Sequence, residues 1–233
     1  MTTRRHFLTL SGLFMTGATA AQANDLCAVF TKEAQAATTA EQALLRLKAG
    51  NERFRTGRSL HCDLTAQIKD TSQGQAPFAA VLGCMDSRVA PELVFDQQLG
   101  DILSVRVAGN IVNTDNLGSL EYATKVLGTK LIVVLGHSEC GAVKGAIDDV
   151  KLGNVTALLA SIRPAVLKIA AGEGDHTSKN KKFVQSVADQ NAKDAASLLT
   201  ARSEVLAAQV KAHELTIVSA MHDVATGAIR WLA

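Results

Sequence analysis

The chain has 233 residues, 47% of them hydrophobic and 20% charged, with only three prolines, a composition that supports a packed core and excludes a disordered chain. Its formal net charge is +2, and the first 23 residues add only Arg4 and Arg5 to the charge count; without them 22 basic residues stand against 22 acidic ones. So neutral a body carries no electrostatic footprint for nucleic acid.

The N-terminal segment reads as an address. Arg4 and Arg5, then Phe7 and Leu8, a moderately apolar stretch and the small-x-small ending Ala21-Gln22-Ala23 form the pattern of a bacterial twin-arginine export signal, with Arg-Arg-x-Phe-Leu favouring that route over Sec. The apolar part is too short, and too broken by Gly and Thr, to serve as a stable membrane anchor. We expect residues 1–23 to be removed, the protein to be periplasmic, and residues 24–233 to form a single domain. The twin-arginine route carries folded proteins and so suits a cofactor inserted before export.

Residues 38–56 open with Thr38 and Glu41 in capping-box spacing and place Leu44, Leu47 and Phe54 on one helical face, with Gly57 as the stop. The next periodicity differs. Residues 78–83, 102–109 and 130–136 are short runs rich in Val, Ile and Leu, each ending at Gly, and helical stretches separate them, notably near 115–127. That alternation predicts an α/β fold with a mostly parallel central sheet covered by helices on both faces. Residues 154–211 are helical in pattern, with a break at Pro164. The runs 215–221 and 228–232 flank a turn at Gly227 and predict a C-terminal antiparallel edge strand.

The chemistry lies at strand ends. FAAVLG is followed at once by Cys84, and LIVVLG by His137 and then Cys140. Functional crevices of open parallel sheets lie at the carboxyl ends of strands, so these three residues could converge. Two thiolates and one imidazole form the ligand set of a catalytic zinc site with one position left open. The helix expected after Cys140 would place its N-terminus near a thiolate, which it stabilises. Asp86 and Arg88 fit either an ordinary loop salt bridge or an oriented carboxylate reaching the open metal position. Met85 and Val89 read as packing, Ser87 as a hydrogen-bonding brace of the loop, and Pro91 as a helix start. Cys27 and Cys62 read as structural loop cysteines, free or paired.

Cys84-Met85-Asp86-Ser87-Arg88 together with His137-Ser138-Glu139-Cys140-Gly141 resembles the paired signature of β-class carbonic anhydrases. The similarity runs from about Glu41 to the C-terminus and includes GQAP at 74–77, SVRVAGNIV at 104–112, SLEYA at 119–123 and the closing HDVATGAIRWL. The resemblance implies one zinc per subunit on Cys84, His137 and Cys140, an Asp86–Arg88 catalytic dyad, and homodimers or larger assemblies clasped by N-terminal helices. It implies reversible hydration of carbon dioxide to bicarbonate by zinc-bound hydroxide. It also implies a state in which Asp86 leaves Arg88 and closes the zinc site. Gln75 and Tyr122 match the plant-type substrate pocket, whereas its phenylalanine position falls on Leu103, apolar but without the ring. The resemblance, through the retained Gln75, implies the plant-like subtype. Two other readings stand beside this one: hydrolysis of carbon disulfide or carbonyl sulfide on the same fold, and a non-catalytic periplasmic zinc-binding protein.

Overall fold

The computed structural model describes residues 26–171 and 174–232; the export segment lies outside the described residues. Short helices α1 (Lys32–Ala37), α2 (Ala40–Arg55) and α3 (Leu64–Thr71) precede the sheet. The capping box of α2 is formed by Thr39 and Gln42, one residue later than the Thr38/Glu41 spacing suggests. The reason is that Thr38 already closes α1: both its N–H and its hydroxyl donate to the Ala34 carbonyl. Gly57 ends α2 with φ +67°.

Five strands follow: β1 (Ala79–Gly83), β2 (Ile102–Arg106), β3 (Leu131–His137), β4 (Thr216–His222) and β5 (Ile229–Leu232). They lie in the order β2-β1-β3-β4-β5, parallel except for β5, which runs antiparallel to β4. The run expected to be extended to residue 109 leaves the sheet after Arg106. β1 stops at Gly83, whose carbonyl accepts from Val107 N–H, and the chain then turns through a 3-10 segment at Ala108–Asn110. Between strands lie α4 (Pro91–Val94), α5 (Thr114–Glu121) with a π-helical turn Tyr122–Val126, and α6 (Gly141–Ile147). The stretch 154–211 supplies α7 (Gly153–Ala160), α8 (Arg163–Ile169), α9 (Lys181–Arg202) and α10 (Glu204–Lys211), and Pro164 occupies the first turn of α8, where its missing N–H has no cost.

Strand alternation splits the core into two layers. Ala80, Leu82, Ile132 and Val134 face the layer that holds Val184, Val187 and Ala192 of α9, while Ala79, Val81, Leu131 and Val133 face the layer of Leu47, Phe78 and Phe95. Helices therefore cover both faces, and β1 and β3 are buried throughout. Helix α2 comes so close to the end of α4 that a Cβ on Gly50 would meet the Phe95 carbonyl oxygen at 1.8 Å. Asn51 fastens α2 to the C-terminal hairpin, donating to the Val94 and Gly227 carbonyls and accepting from Ile229 N–H.

Cys27 and Cys62 form a disulfide with their Cα atoms 5.4 Å apart, closing a separation of 35 residues. A loop of that length predicts a loss of about 4 kcal/mol when both cysteines become serine. Urea denaturation of the Cys27→Ser/Cys62→Ser protein checks this, with an unchanged midpoint as the contrary result. No helix among the described residues is long and apolar enough to cross a membrane.

Candidate metal centre and its surroundings

β1 and β3 are neighbours, with Gly83 level with Leu135, so the residues that follow them emerge side by side at the carboxyl edge of the sheet. Cys84 comes one residue after β1, His137 is the last residue of β3, and Cys140 is the N-cap of α6. Their ligand atoms all lie within 4.8 Å of one another, and all three residues are buried.

The donor set fits a metal ion. His137 Nδ1 lies 2.9 Å from the Ser138 carbonyl oxygen, a contact that puts the ring proton on Nδ1 and leaves the Nε2 lone pair free. Nε2 is buried and has no protein partner. The Cys84 thiol is pulled well below its ordinary value, chiefly by the hydrogen bond from Cys140 and then, against the cost of burial, by His137 and the Gly109 N–H at 3.3 Å. Cys140 is pushed upward because it donates to Cys84 and is buried. Without a metal the pair thus shares one proton, and a soft divalent cation that displaced it would satisfy both sulfurs and Nε2 together.

Asp86 borders this cluster, with Oδ2 4.0 Å from His137 Nε2. Arg88 grips it twice, Nε to Oδ1 at 2.9 Å and Nη2 to Oδ2 at 2.8 Å, and its own backbone N–H adds a third bond to Oδ1. The Arg88 hydrogen bond holds the Asp86 carboxyl well below the usual carboxylate range, so it is ionised at neutral pH.

A scan against protein-family models matches residues 79–229 to carbonic anhydrase. Carbonic anhydrase 2 of Mycobacterium tuberculosis is 39% identical over 187 residues, 78% of this chain and 87% of that protein. The carbonic anhydrase of Mycolicibacterium smegmatis is 37% identical over 189 residues, 78% and 88% of the two chains. Among solved structures, the β-carbonic anhydrase CcaA superimposes with a TM-score of 0.64 at 25% identity, covering 82% of this chain and 95% of that one. A tetrameric β-carbonic anhydrase of Sordaria macrospora gives 0.64 at 25% identity over 71% and 85%.

The chain belongs to the β-class carbonic anhydrases.

The remaining residues singled out from the sequence fall into two groups. Gln75, Leu103 and Tyr122 meet, together with Thr114, Ser119 and Leu127, around a cleft of about 690 Å³. The lining of this cleft includes neither the three metal-competent residues nor Asp86 and Arg88. In the signature loop, Val89 is buried, but Met85 is 63% exposed rather than packed, because residues 84–88 leave the sheet and α4 covers only the far end of the loop. Ser87 is also exposed and makes no side-chain hydrogen bond among the described residues, so the expected brace is absent. Arg106 does that work instead: its Nε donates to the Cys84 carbonyl at 3.0 Å and its Nη2 to the Asp86 carbonyl at 2.7 Å.

Sequence reasoning missed Arg106, Gly109 and His222 as parts of this carbonic anhydrase centre. Gly109, at φ +70°, turns its N–H onto the Cys84 sulfur, and a Cβ there would meet Ile162 at 2.6 Å. The available signal was its place within SVRVAGNIV, directly after an apolar run. His222 pairs with His137 across β3 and β4, is 3% exposed, and has no partner on either ring nitrogen. Burial, helped by His137, pushes its pKa down and keeps it neutral.

Proposed function

We propose that this carbonic anhydrase hydrates carbon dioxide reversibly to bicarbonate with one zinc per chain, held by Cys84, His137 and Cys140. The observation that carries this reading is the convergence of three buried donor atoms, one of them an orphaned imidazole nitrogen, beside an ionised carboxylate. Zinc at such a site supplies a water acidified to a pKa of about 7. The chain's own residues then do the following. Asp86, acceptor-only while ionised, orients an O–H group at the centre. Arg88 fixes the carboxylate by two parallel bonds, and Arg106 fixes the loop that carries it. Gln75 offers its amide, and Leu103 and Tyr122 an apolar wall, to the small substrate. This set supports the plant-like subtype. The Asp86–Arg88 pairing is the open arrangement of the site.

The cleft and the metal-competent cluster share no lining residue, which supports a homo-oligomer in which the cleft of one copy serves the centre of another. The tetrameric relative of Sordaria macrospora supports the same reading. The Cys27–Cys62 disulfide supports an oxidising compartment, in keeping with export of the chain to the periplasm by the twin-arginine signal of residues 1–23.

Metal removal tests the assignment. Dialysis against a chelator is expected to abolish carbon dioxide hydration in step with zinc content, and zinc but not magnesium restores it, since two thiolates and an imidazole disfavour a hard cation. Activity that survives in protein stripped of zinc is the contrary result.

A further inference from the structure

The segment from Cys27 to Thr38 precedes the region that carries the catalytic signature, yet it is fastened to the body of the same chain along its whole length. At one end the disulfide to Cys62 and the bond from Gln67 Nε2 to the Cys27 carbonyl hold it. Phe30 packs on Phe78 with ring centroids 5.3 Å apart, and the Arg46 guanidinium lies over both rings. At the other end Lys130 Nζ donates to the Ala36 and Thr38 carbonyls. Between these anchors the Gln35 side-chain amide makes two long-range bonds from one nitrogen, to the Pro77 carbonyl at 2.6 Å and to the Leu127 carbonyl at 2.8 Å.

One of those carbonyls belongs to a residue that lines the cleft, and the other to the loop that carries a lining residue. Pro77 lies two residues after Gln75. Leu127 lines the cleft itself, and its N–H closes the π-helical turn by donating to the Tyr122 carbonyl. One amide nitrogen therefore ties the loop that presents Gln75 to the turn that presents Tyr122. We infer that the Cys27–Thr38 segment is a strap that sets the spacing of the Gln75–Tyr122 cleft, with Gln35 as the positioning residue. Gln35 touches no substrate; it acts through the two walls. The inference rests on the reading of that cleft as the substrate subsite.

The test uses the zinc-loaded full chain. Gln35→Met keeps the length and packing of the side chain and removes both donated bonds. It is expected to lower kcat/KM for carbon dioxide by about three- to tenfold, the worth of one or two hydrogen bonds, with kcat within about twofold and zinc content unchanged. Cys27→Ser/Cys62→Ser releases the far anchor and shifts kcat/KM the same way by less, which keeps the inference testable if Gln35→Met folds poorly. The chain has a single tyrosine, so fluorotyrosine labelling gives one fluorine resonance, on the Tyr122 wall, which is expected to shift or broaden in both variants. A Gln75→Ala control separates the two claims. If Gln75→Ala leaves kcat/KM unchanged, the subsite reading fails. If Gln75→Ala lowers it while Gln35→Met leaves both kcat/KM and the fluorine resonance at their parent values, the strap inference alone is overturned. Lower thermal stability of Gln35→Met with unaltered kinetics and resonance likewise overturns it in favour of a purely structural role.

Discussion

Cys84→Ser is expected to cost more than about a hundredfold in zinc affinity and about three orders of magnitude in carbon dioxide hydration. A serine hydroxyl does not ionise where a thiol drawn well below its ordinary value by its hydrogen-bond donors can, so the anchor of the site is lost rather than weakened. The substitution also leaves Gly109 N–H facing a poorer-placed acceptor and Cys140 without the partner to which it donates. The fold should survive, because the β1–β3 ladder ends at Gly83 and serine is close in size to the buried thiol it replaces at the margin of one core layer. Metal analysis beside stopped-flow assays checks the expectation, with the Cys27→Ser/Cys62→Ser protein as the comparison: it loses stability and keeps its zinc. Equal zinc in Cys84→Ser and the parent would contradict the ligand assignment.

Asp86→Asn is expected to retain full zinc and lose about a hundred- to a thousandfold in kcat/KM, the range for removing a positioned proton-handling carboxylate. Asparagine preserves the shape of the side chain, but its amide presents a donor where the site needs an acceptor, and Arg88 loses an anionic partner. The pH dependence carries a sign. Arg88 lowers the Asp86 carboxyl in the folded protein, so the stabilisation it brings is present above the ordinary carboxylate value and is lost only as the pH falls through the lowered one. The carboxylate therefore does not titrate near neutrality, and the deficit of the variant is expected to stay constant between about pH 6 and 9. A deficit that disappears within that interval would place the titrating group at Asp86 and contradict the account.

The fold was legible where the sequence obeys one period. β1 and β3 are buried on both faces and read as unbroken apolar runs, whereas their adjacency, which the sequence left open, is set by the strand order β2-β1-β3. From that adjacency the meeting of Cys84 with His137 is a short step. The parts that were not legible depend on contacts between distant segments. Whether Thr38 or Thr39 caps α2 is decided by the preceding helix, which uses the Thr38 hydroxyl itself. Ser87 looked like the natural brace of the signature loop because it is local and polar, yet the bracing donor is Arg106, more than a dozen residues away on the neighbouring strand. The disulfide depended on how the first helices fold back over residues 62–67, which no periodicity records. Gln35, in a short helix without a buried residue, carried no sequence signal at all; its role exists only through the two carbonyls it joins.

The central claim is that the buried Cys84–His137–Cys140 cluster, with Asp86 beside it, makes this chain a zinc-dependent hydratase of carbon dioxide. Stopped-flow measurement of carbon dioxide hydration by purified protein carrying one zinc per chain tests it most directly. A rate far above that of buffer, proportional to zinc content, is expected. Stoichiometric zinc with a rate no greater than buffer would contradict it.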